Sequence, residues 1–447
     1  MLGLPVFGGT PMTTLVERTT INKVAWRLMP FLFICYFFNV IDRVNVGFAA
    51  LTMNADLKFT ATAFGTGASI FFVSYVLAEV PSNVLMHRFG ARIWIARVMI
   101  TWGILSGAQA FVWDEFTFYS VRFALGLAEA GFFPGMIYYL AQWYPAQYRS
   151  RTFAQLMAVS PFSSVVGAPV SAWLLGFTAF GFAGWQLMFI IEAVPSVILG
   201  VICLIFLTNR PEDAHWLTRE EKTWLTQTLK AEEEAKQKVR NFTFWQALLN
   251  RKVLMLAVLE FGLVMANWGM SFWLPQIVKG FGGLSNIQVG FISAIPFLGA
   301  LVGMQLWARS SDRTLERRFH LAFACLVAAL GIAAGALIAS PVLKIIALSI
   351  GIMGFWSALS VFWTVPTAFL GGLAGAGAIA LINSLAQFGG IISPWLMGYS
   401  KDVTGDFTVG LLVIAGFCMV SVILSLFVTN DERNQKAGKL VAAPAGE

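Results

Sequence analysis

Long apolar runs alternate with short polar segments along most of the chain. A hydrocarbon core about 30 Å thick is crossed by about 20 apolar residues in a helix. Twelve runs of that kind lie near residues 24–51, 62–86, 93–112, 116–141, 152–176, 185–207, 252–276, 285–307, 320–339, 343–366, 375–398 and 407–428. The pattern predicts an all-α integral membrane protein with twelve transmembrane helices.

The longest polar stretch, residues 209–250, falls between the sixth and seventh runs. Its alternating charges predict a solvated amphipathic helix. The sequence HRFGAR follows the second run, and SDRTLERR follows the eighth about half a chain later. This repeat predicts two six-helix bundles of parallel topology. The expected segments are an N-terminal segment 1–23, an amino bundle 24–207, a linker 208–250, a carboxyl bundle 251–428 and a tail 429–447.

Composition supports a membrane setting. Hydrophobic residues make up 58% of the chain, charged residues 12%, and the mean hydropathy is +0.74, which leaves too little polar surface for a soluble globule of this size. The first run is too long for a removable signal peptide, so we expect it to be retained. The four cysteines are isolated in apolar runs and the three histidines are far apart. We therefore expect no disulfide framework, metal site or cofactor.

The positive charges are distributed unevenly between the predicted loops. Four of the 30 Lys and Arg lie on one side (Lys58, Lys279, Lys344 and Lys401), two lie within spans, and the remainder lie on the side of the termini and linker. The positive-inside rule predicts an inner (plasma) membrane protein with both termini in the cytoplasm. This asymmetry accounts for the net charge of +7, so the expected partners are the lipid bilayer and a small solute rather than nucleic acid. We expect a monomer.

Charged residues inside the amino-terminal spans are the main functional signal, because ionisable groups are costly in a bilayer. From the helical rise, Asp42 and Arg122 lie roughly 10–12 Å from the outer ends of their spans. Asp42, Arg43 and Arg122 thus share one predicted layer, and Glu129 lies on the Arg122 face about 10 Å deeper. The guanidiniums suit an anionic group and the carboxyls suit proton exchange. The alternative is a structural ion pair, such as Asp42 with Arg122.

Other polar residues in the spans predict different roles. Glu79 lies near the basic turn, which favours a gate or a helix-end pairing over substrate contact. For Glu192 and Glu260 we expect snorkelling or local pairing. Asn383 and Gln387 are four residues apart, so they are predicted to line one face of span eleven. The ionic first half and neutral second half predict a substrate with a charged end and a polar or ring-like body.

Several sequence motifs occur in a fixed order along the chain and together resemble one known family. They are IDRVNVGFAA, SYVLAEVPSNVLMHRFGAR, RFALGLAEAGFFPG, GWQLMFIIEAVPS, RPEDAHWLTREEK, SDRTLERRFH and INSLAQFGGIISP. From about residue 24 to 429 the chain resembles the anion:cation symporter family of the major facilitator superfamily, in particular tartrate or phthalate transporters. This resemblance implies alternating access and import of an organic anion such as a tartrate-like diacid, a phthalate-like acid or a sugar acid. The coupling ion would be a proton, and the protein would not be an enzyme.

The resemblance also implies roles at matching positions. These are protonation at Asp42 and Glu129, carboxylate binding and coupling at Arg43 and Arg122, and cavity contacts from Tyr75, Trp363, Asn383 and, by its spacing, Gln387. The expected cytoplasmic gate comprises Glu79, Asn83, Arg88, Arg92, Asp312 and Arg313.

Two departures from the family pattern affect these expectations. His87 stands where the superfamily motif has Asp, which leaves the cytoplasmic latch to Glu79, Asn83 and Arg88. Ala386-Gln387 stands where many relatives have Gly-Asn, so the substrate contact there is open. The alternatives are a substrate-sensing receptor, or the same fold with sodium coupling or in export mode.

Overall fold

The computed structural model describes residues 15–237, 250–314, 316–369 and 381–428. The predicted tail 429–447, part of the N-terminal segment and part of the linker lie outside these residues. Ten helical segments in the described ranges are long and apolar enough to cross a membrane. Helical residues 91–108 and 381–404 overlap the two remaining predicted spans, 93–112 and 375–398, and residues 375–380 lie outside the described part of the chain. No named strand occurs among the described residues, so the predicted fold class is confirmed.

The amino-terminal half contains eight helices. They are α1 (Leu15–Asp56), α2 (Ala61–Phe89), α3 (Ala91–Ala108), α4 (Glu115–Glu129), α5 (Phe132–Ala141), α6 (Ala146–Met157), α7 (Val159–Leu174) and α8 (Gly184–Phe206). Span four is divided into α4 and α5 by Gly131, whose φ of +85° is readily adopted only by glycine. A Cβ at this position would lie 2.3 Å from the Ser82 hydroxyl. The last residue of α4 is Glu129, so the break lies directly beside a predicted site residue.

The carboxyl-terminal half follows the linker helix α9 (Arg219–Gln237). Its helices are α10 (Arg251–Lys279), α11 (Asn286–Thr314), α12 (Arg318–Leu337), α13 (Pro341–Phe362), α14 (Thr364–Phe369), α15 (Phe388–Thr404) and α16 (Thr408–Val428). Within the halves, α3 packs on α8, and α12 packs on α13 and α16. Among the helices named here, α1 packs on α10, α2 on α15 and α7 on α11, and these contacts join the two halves.

The linker helix is docked rather than fully solvated. Leu225 is buried, and the ring of Trp216, which precedes α9, stacks on Trp143 at 5.3 Å. Lys23 of α1 forms an ion pair with Glu221 at 2.8 Å. Burial acts to raise the pKa of Glu221, but the hydrogen bonds from Lys23 and from the Thr218 N–H hold it below its ordinary value. The end of the molecule that carries α9 is called the linker side below, and the opposite end the far side.

On the far side the two bundles are in close contact through small residues of α2 and α15. A Cβ added at Gly65 would lie 2.5 Å from the carbonyl oxygen of Pro394, and one added at Gly398 would lie 2.2 Å from that of Ala61. The Asp402 carboxylate accepts hydrogen bonds from the backbone N–H groups of Ala61 (3.1 Å) and Thr62 (2.7 Å) at the start of α2. Backbone therefore packs against backbone, and the far side is closed.

Candidate functional site: a two-arginine cluster between the bundles

The centre of the site is an ion pair between α1 and α4. Arg43 donates to Oε1 of Glu129 through Nε at 2.7 Å and also through Nη2. Asn39, one helical turn before Arg43, donates to the same oxygen at 2.8 Å. The Glu129 side chain is 1% exposed and that of Arg43 is 12% exposed. The second carboxylate oxygen, Oε2, is buried and has no hydrogen-bond partner among the described residues.

Arg122 of α4 lies beside this pair without bonding to Glu129. Its Nε donates to the carbonyl oxygen of Gly67 at 3.3 Å, and the residue is 0% exposed. Nη1 and Nη2 have no hydrogen-bond partner in the described part of the chain. The prediction that Arg122 and Glu129 face one region without direct pairing agrees with this arrangement. Arg122 thus presents two donors that a carboxylate oxygen can satisfy.

Aromatic rings connect the two arginines. Both guanidiniums lie over Phe71 of α2, Arg43 at 5.4 Å and Arg122 at 4.7 Å from the ring centroid. Arg43 also lies 5.2 Å from the ring of Tyr75 and 5.3 Å from that of Trp268 in α10. Such faces attract cations without neutralising them. Phe71 and Asn39 were not predicted, because neither stands out among the many aromatic residues and the amides of the chain.

The Asp42 carboxylate does not join this cluster, although it was predicted to lie in the same layer. Its carboxylate accepts hydrogen bonds from Trp102 Nε1 (2.9 Å), Ser106 Oγ (3.3 Å) and Ser196 Oγ (2.5 Å), all on α3 and α8. The side chains of consecutive helical residues point about 100° apart. Asp42 and Arg43 therefore face different helices, although they lie at nearly the same depth. The alternative ion pair between Asp42 and Arg122 is absent among the described contacts.

Glu192 and Glu260 are also buried, at 5% and 3% exposure, so snorkelling is wrong for both. Glu192 of α8 accepts hydrogen bonds from Asn45 Nδ2 (3.0 Å) and Ser171 Oγ (2.7 Å). Local pairing, the other expectation, is therefore what the structure shows for Glu192. Glu260 of α10 forms no ion pair within the described residues, and its Oε2 is buried without a hydrogen-bond partner there.

The carboxyl-terminal half reaches the site through Asn383. Its Nδ2 donates to Oε1 of Glu79 at 3.2 Å, which joins the two bundles. The backbone N–H of Gln387 bonds to the Asn383 carbonyl at 3.0 Å, so the two residues are one helical turn apart as predicted. Trp363 lies at the junction of α13 and α14. No group of three or more metal-ligating side chains occurs in the described ranges.

Comparisons with known proteins identify the family. A model of the Major Facilitator Superfamily matches residues 32–376. A protein of Agrobacterium vitis named "Putative tartrate transporter" is 49% identical over 421 residues, which cover 94% of this chain and 93% of that protein. The chain belongs to the major facilitator superfamily. The "Inner membrane transport protein RhmT" of Escherichia coli (strain K12) is 38% identical over 422 residues, covering 93% and 96% of the two chains.

A solved facilitator structure shows the same fold. A bacterial homolog of the human lysosomal transporter Spinster, in an inward-facing and unoccupied conformation, aligns with a TM-score of 0.72 at 15% identity. The alignment covers 93% of this chain and 98% of that one. The family match and the close relatives show that the protein is a multi-pass membrane transporter and not an enzyme, as the sequence predicted.

The predicted gate residues of this facilitator occupy three separate places. Glu79 lies between the bundles, where it accepts the hydrogen bond from Asn383, and its role in a gate stays a prediction. Arg88 lines a cavity of about 550 Å³ on the linker side, together with His87 and Asn209. The backbone N–H of Arg92 bonds to the Asn209 side chain at 3.0 Å.

In the second bundle, Asp312 forms an ion pair with Arg317 at 2.7 Å. Arg313, like Asp312, is solvent-exposed, and Asn83 is half-buried on α2. The described contacts of Asp312 therefore lie within its own bundle, and its role in a gate stays a prediction.

Proposed function

We propose that this facilitator imports an organic anion that carries a carboxylate, in symport with protons. The observation that supports the proposal is the placement of two guanidiniums over one ring, with a single carboxylate, Glu129, bonded to only one of them. Arg122 retains two buried N–H-bearing nitrogens that need an acceptor. A buried unsatisfied donor of this kind is costly, and a substrate carboxylate would satisfy it.

Coupling follows from competition for Arg43. While Glu129 is ionised, it holds Arg43 through two hydrogen bonds. A proton on Glu129 removes the negative charge and leaves Arg43 available to the substrate carboxylate. Proton and substrate then bind cooperatively, and by linkage each raises the affinity for the other. Once the substrate and the proton have been released, ionised Glu129 would bond to Arg43 again. This restored ion pair suits the return of the empty transporter to its starting conformation.

The substrate class proposed is a small carboxylic acid, with a tartrate-like diacid as the first candidate. Two guanidiniums at one site suit two carboxylates, and the name of the Agrobacterium vitis relative refers to tartrate. The rings of Phe71, Tyr75 and Trp268 would also suit an aromatic acid, and Asn383 a hydroxyl group of a sugar acid. Each class is therefore included in the test.

Asp42 is proposed to carry the same proton as Glu129 along one path within the amino bundle. It is buried, and its bonds come only from neutral donors among the described residues. Import here means transport toward the side that carries both termini. The distribution of Lys and Arg predicts that this side is the cytoplasm.

The proposal is tested with purified protein in liposomes. An inward proton gradient should drive accumulation of labelled tartrate, and a sodium gradient at equal pH should not. A phthalate and a sugar acid compete for uptake if they share the site. Accumulation driven by sodium alone, or substrate binding without uptake under any gradient, would overturn the proton-symport assignment.

A further inference from the structure

Glu260 is an isolated carboxyl in an otherwise apolar part of α10. It is 3% exposed, and its Oε2 is buried with no hydrogen-bond partner among the described residues. A buried carboxyl without a cation carries a large desolvation penalty in its charged form. A structural role would be expected to show hydrogen bonds like those of Glu192, and the described contacts of Glu260 include none.

Phe72 of α2 contacts Trp268 of α10, with 4.8 Å between the ring centroids. The two helices run in opposite directions, and Glu79 and Glu260 each lie about two turns from this contact toward the linker side. The two carboxyls interact electrostatically. Glu79 is 6% exposed; its Oε1 accepts the bond from Asn383, and its Oε2 is buried without a partner in the described ranges. Each of the two carboxyls thus has one buried oxygen without a partner, Oε2. One carboxyl belongs to the amino bundle and the other to the carboxyl bundle.

Among the described residues, no cationic side chain is bonded to either carboxyl of this pair. Arg43 of α1 interacts electrostatically with Glu79, but its hydrogen bonds go to Glu129. Tyr75, one turn away on α2, also interacts with Glu79. The neutral Asn383 comes from the segment before α15, and Glu79 is the only charged group that interacts with Glu260 within the described residues.

We propose that Glu79 and Glu260 form a second proton site, shared between the two bundles, which holds one proton while the bundles are in contact at this depth. Two neighbouring buried carboxyls do not both ionise readily, because their charges repel and neither is solvated. When the bundles separate on the linker side, water reaches both groups and the repulsion falls, so the proton leaves for that side. Protonation therefore favours closure of the linker side.

This role differs from that of Glu129. The proton on Glu129 controls the availability of Arg43 to substrate, whereas the proton between Glu79 and Glu260 controls how closely the bundles approach. The inference rests on the proposed proton symport, since it adds a second proton to the same cycle. Asp42 and Glu192 do not share this property, because their bonding partners all lie in the amino bundle.

The test measures the separation of the bundles directly, without substrate. Spin labels are placed by Phe89→Cys at the end of α2 and Thr314→Cys at the end of α11, both on the linker side. The four native cysteines are buried and are replaced only if they react. Distances between the labels are recorded in liposomes from pH 5 to pH 8. Acid should shift the distribution toward the shorter distance.

Glu260→Gln and Glu79→Gln should each favour the short distance at every pH, with most of the pH response lost. Glu260→Asp should restore part of that response, which a purely structural residue would not do. Glu129→Gln is the matched control and should keep the response, because it leaves the interface pair intact. An unchanged pH response in both folded Gln variants would overturn the inference.

Transport assays distinguish this failure from failure of the proposed function. If the unmodified protein accumulates substrate from a proton gradient while Glu260→Gln moves the same number of protons per substrate, symport stands and the second site is wrong. If the unmodified protein does not respond to a proton gradient, the proposed function is wrong. One proton fewer per substrate in Glu260→Gln is the expected result.

Discussion

Replacing Glu129 with glutamine tests the proposed coupling most directly. Glutamine keeps a carbonyl oxygen for the Asn39 and Arg43 donors but removes the negative charge that competes with substrate. The variant therefore resembles the protonated transporter at every pH. We expect Glu129→Gln to bind substrate with an affinity that no longer depends on pH, and to lose accumulation from a proton gradient while exchange of substrate continues.

The size of the effect follows from the two hydrogen bonds between Arg43 and Glu129. Hydrogen bonds to charged groups contribute about 1.5–3 kcal/mol. The bonds from Arg43 to the Glu129 carboxylate involve two charges and fall toward the upper end of this range. Bonds from Arg43 to a neutral glutamine involve one charge and fall toward the lower end, so the lost charge weakens each bond by about 1 kcal/mol. Two bonds give about 2 kcal/mol, which corresponds to about 30-fold in affinity. At a pH where Glu129 is ionised, the variant should bind substrate about 30-fold more tightly than the unmodified protein.

Binding is measured by calorimetry across pH, and accumulation by uptake into liposomes. Glu192→Gln is the control, because Glu192 is equally buried in the same half but bonds only to Asn45 and Ser171 in the described structure. The control should retain the pH dependence of binding. Normal accumulation by Glu129→Gln, or binding that varies with pH as in the unmodified protein, would refute the competition for Arg43.

Three further predictions concern other parts of the structure. Arg122→Lys keeps the charge but loses the forked donors, so substrate affinity should fall about 10-fold or more with little change in Tm; unchanged affinity in a titration would remove Arg122 from the site. Gly131→Ala places a side chain at positive φ and against Ser82, and should destabilise the fold by about 1–2 kcal/mol in denaturant unfolding; equal stability would contradict the strained break. Asp402→Asn weakens the hydrogen bonds from the Asp402 side chain to the start of α2. A cysteine introduced by Ser69→Cys should then react faster with an impermeant thiol reagent from the far side. Equal reaction rates would show that this contact does not hold the far side closed.

The linker helix illustrates a prediction that was only partly correct. The charge pattern of residues 209–250 predicted an amphipathic helix, and α9 is one within that stretch. Its partner surface was not predictable, because the residues that receive it, including Lys23 and Trp143, come from distant parts of the chain. Contact between segments that are far apart in sequence leaves no local pattern.

The membrane class, the helical fold and the family were all predictable from the amino-acid order, because hydrophobic run length and ordered motifs are properties of the linear chain. The sequence also singled out Arg43, Arg122 and Glu129, since a charge in an apolar run is conspicuous without a structure. The tertiary structure decided which charges meet. Asp42 and Arg43 are neighbours in sequence, yet helical rotation turns one into the amino bundle and the other toward Glu129 and Phe71. Glu260 looked like an incidental carboxyl until the contact of α2 with α10 through Phe72 and Trp268 brought Glu79 within electrostatic range of it. Depth can be counted along a chain, but the direction of a side chain cannot.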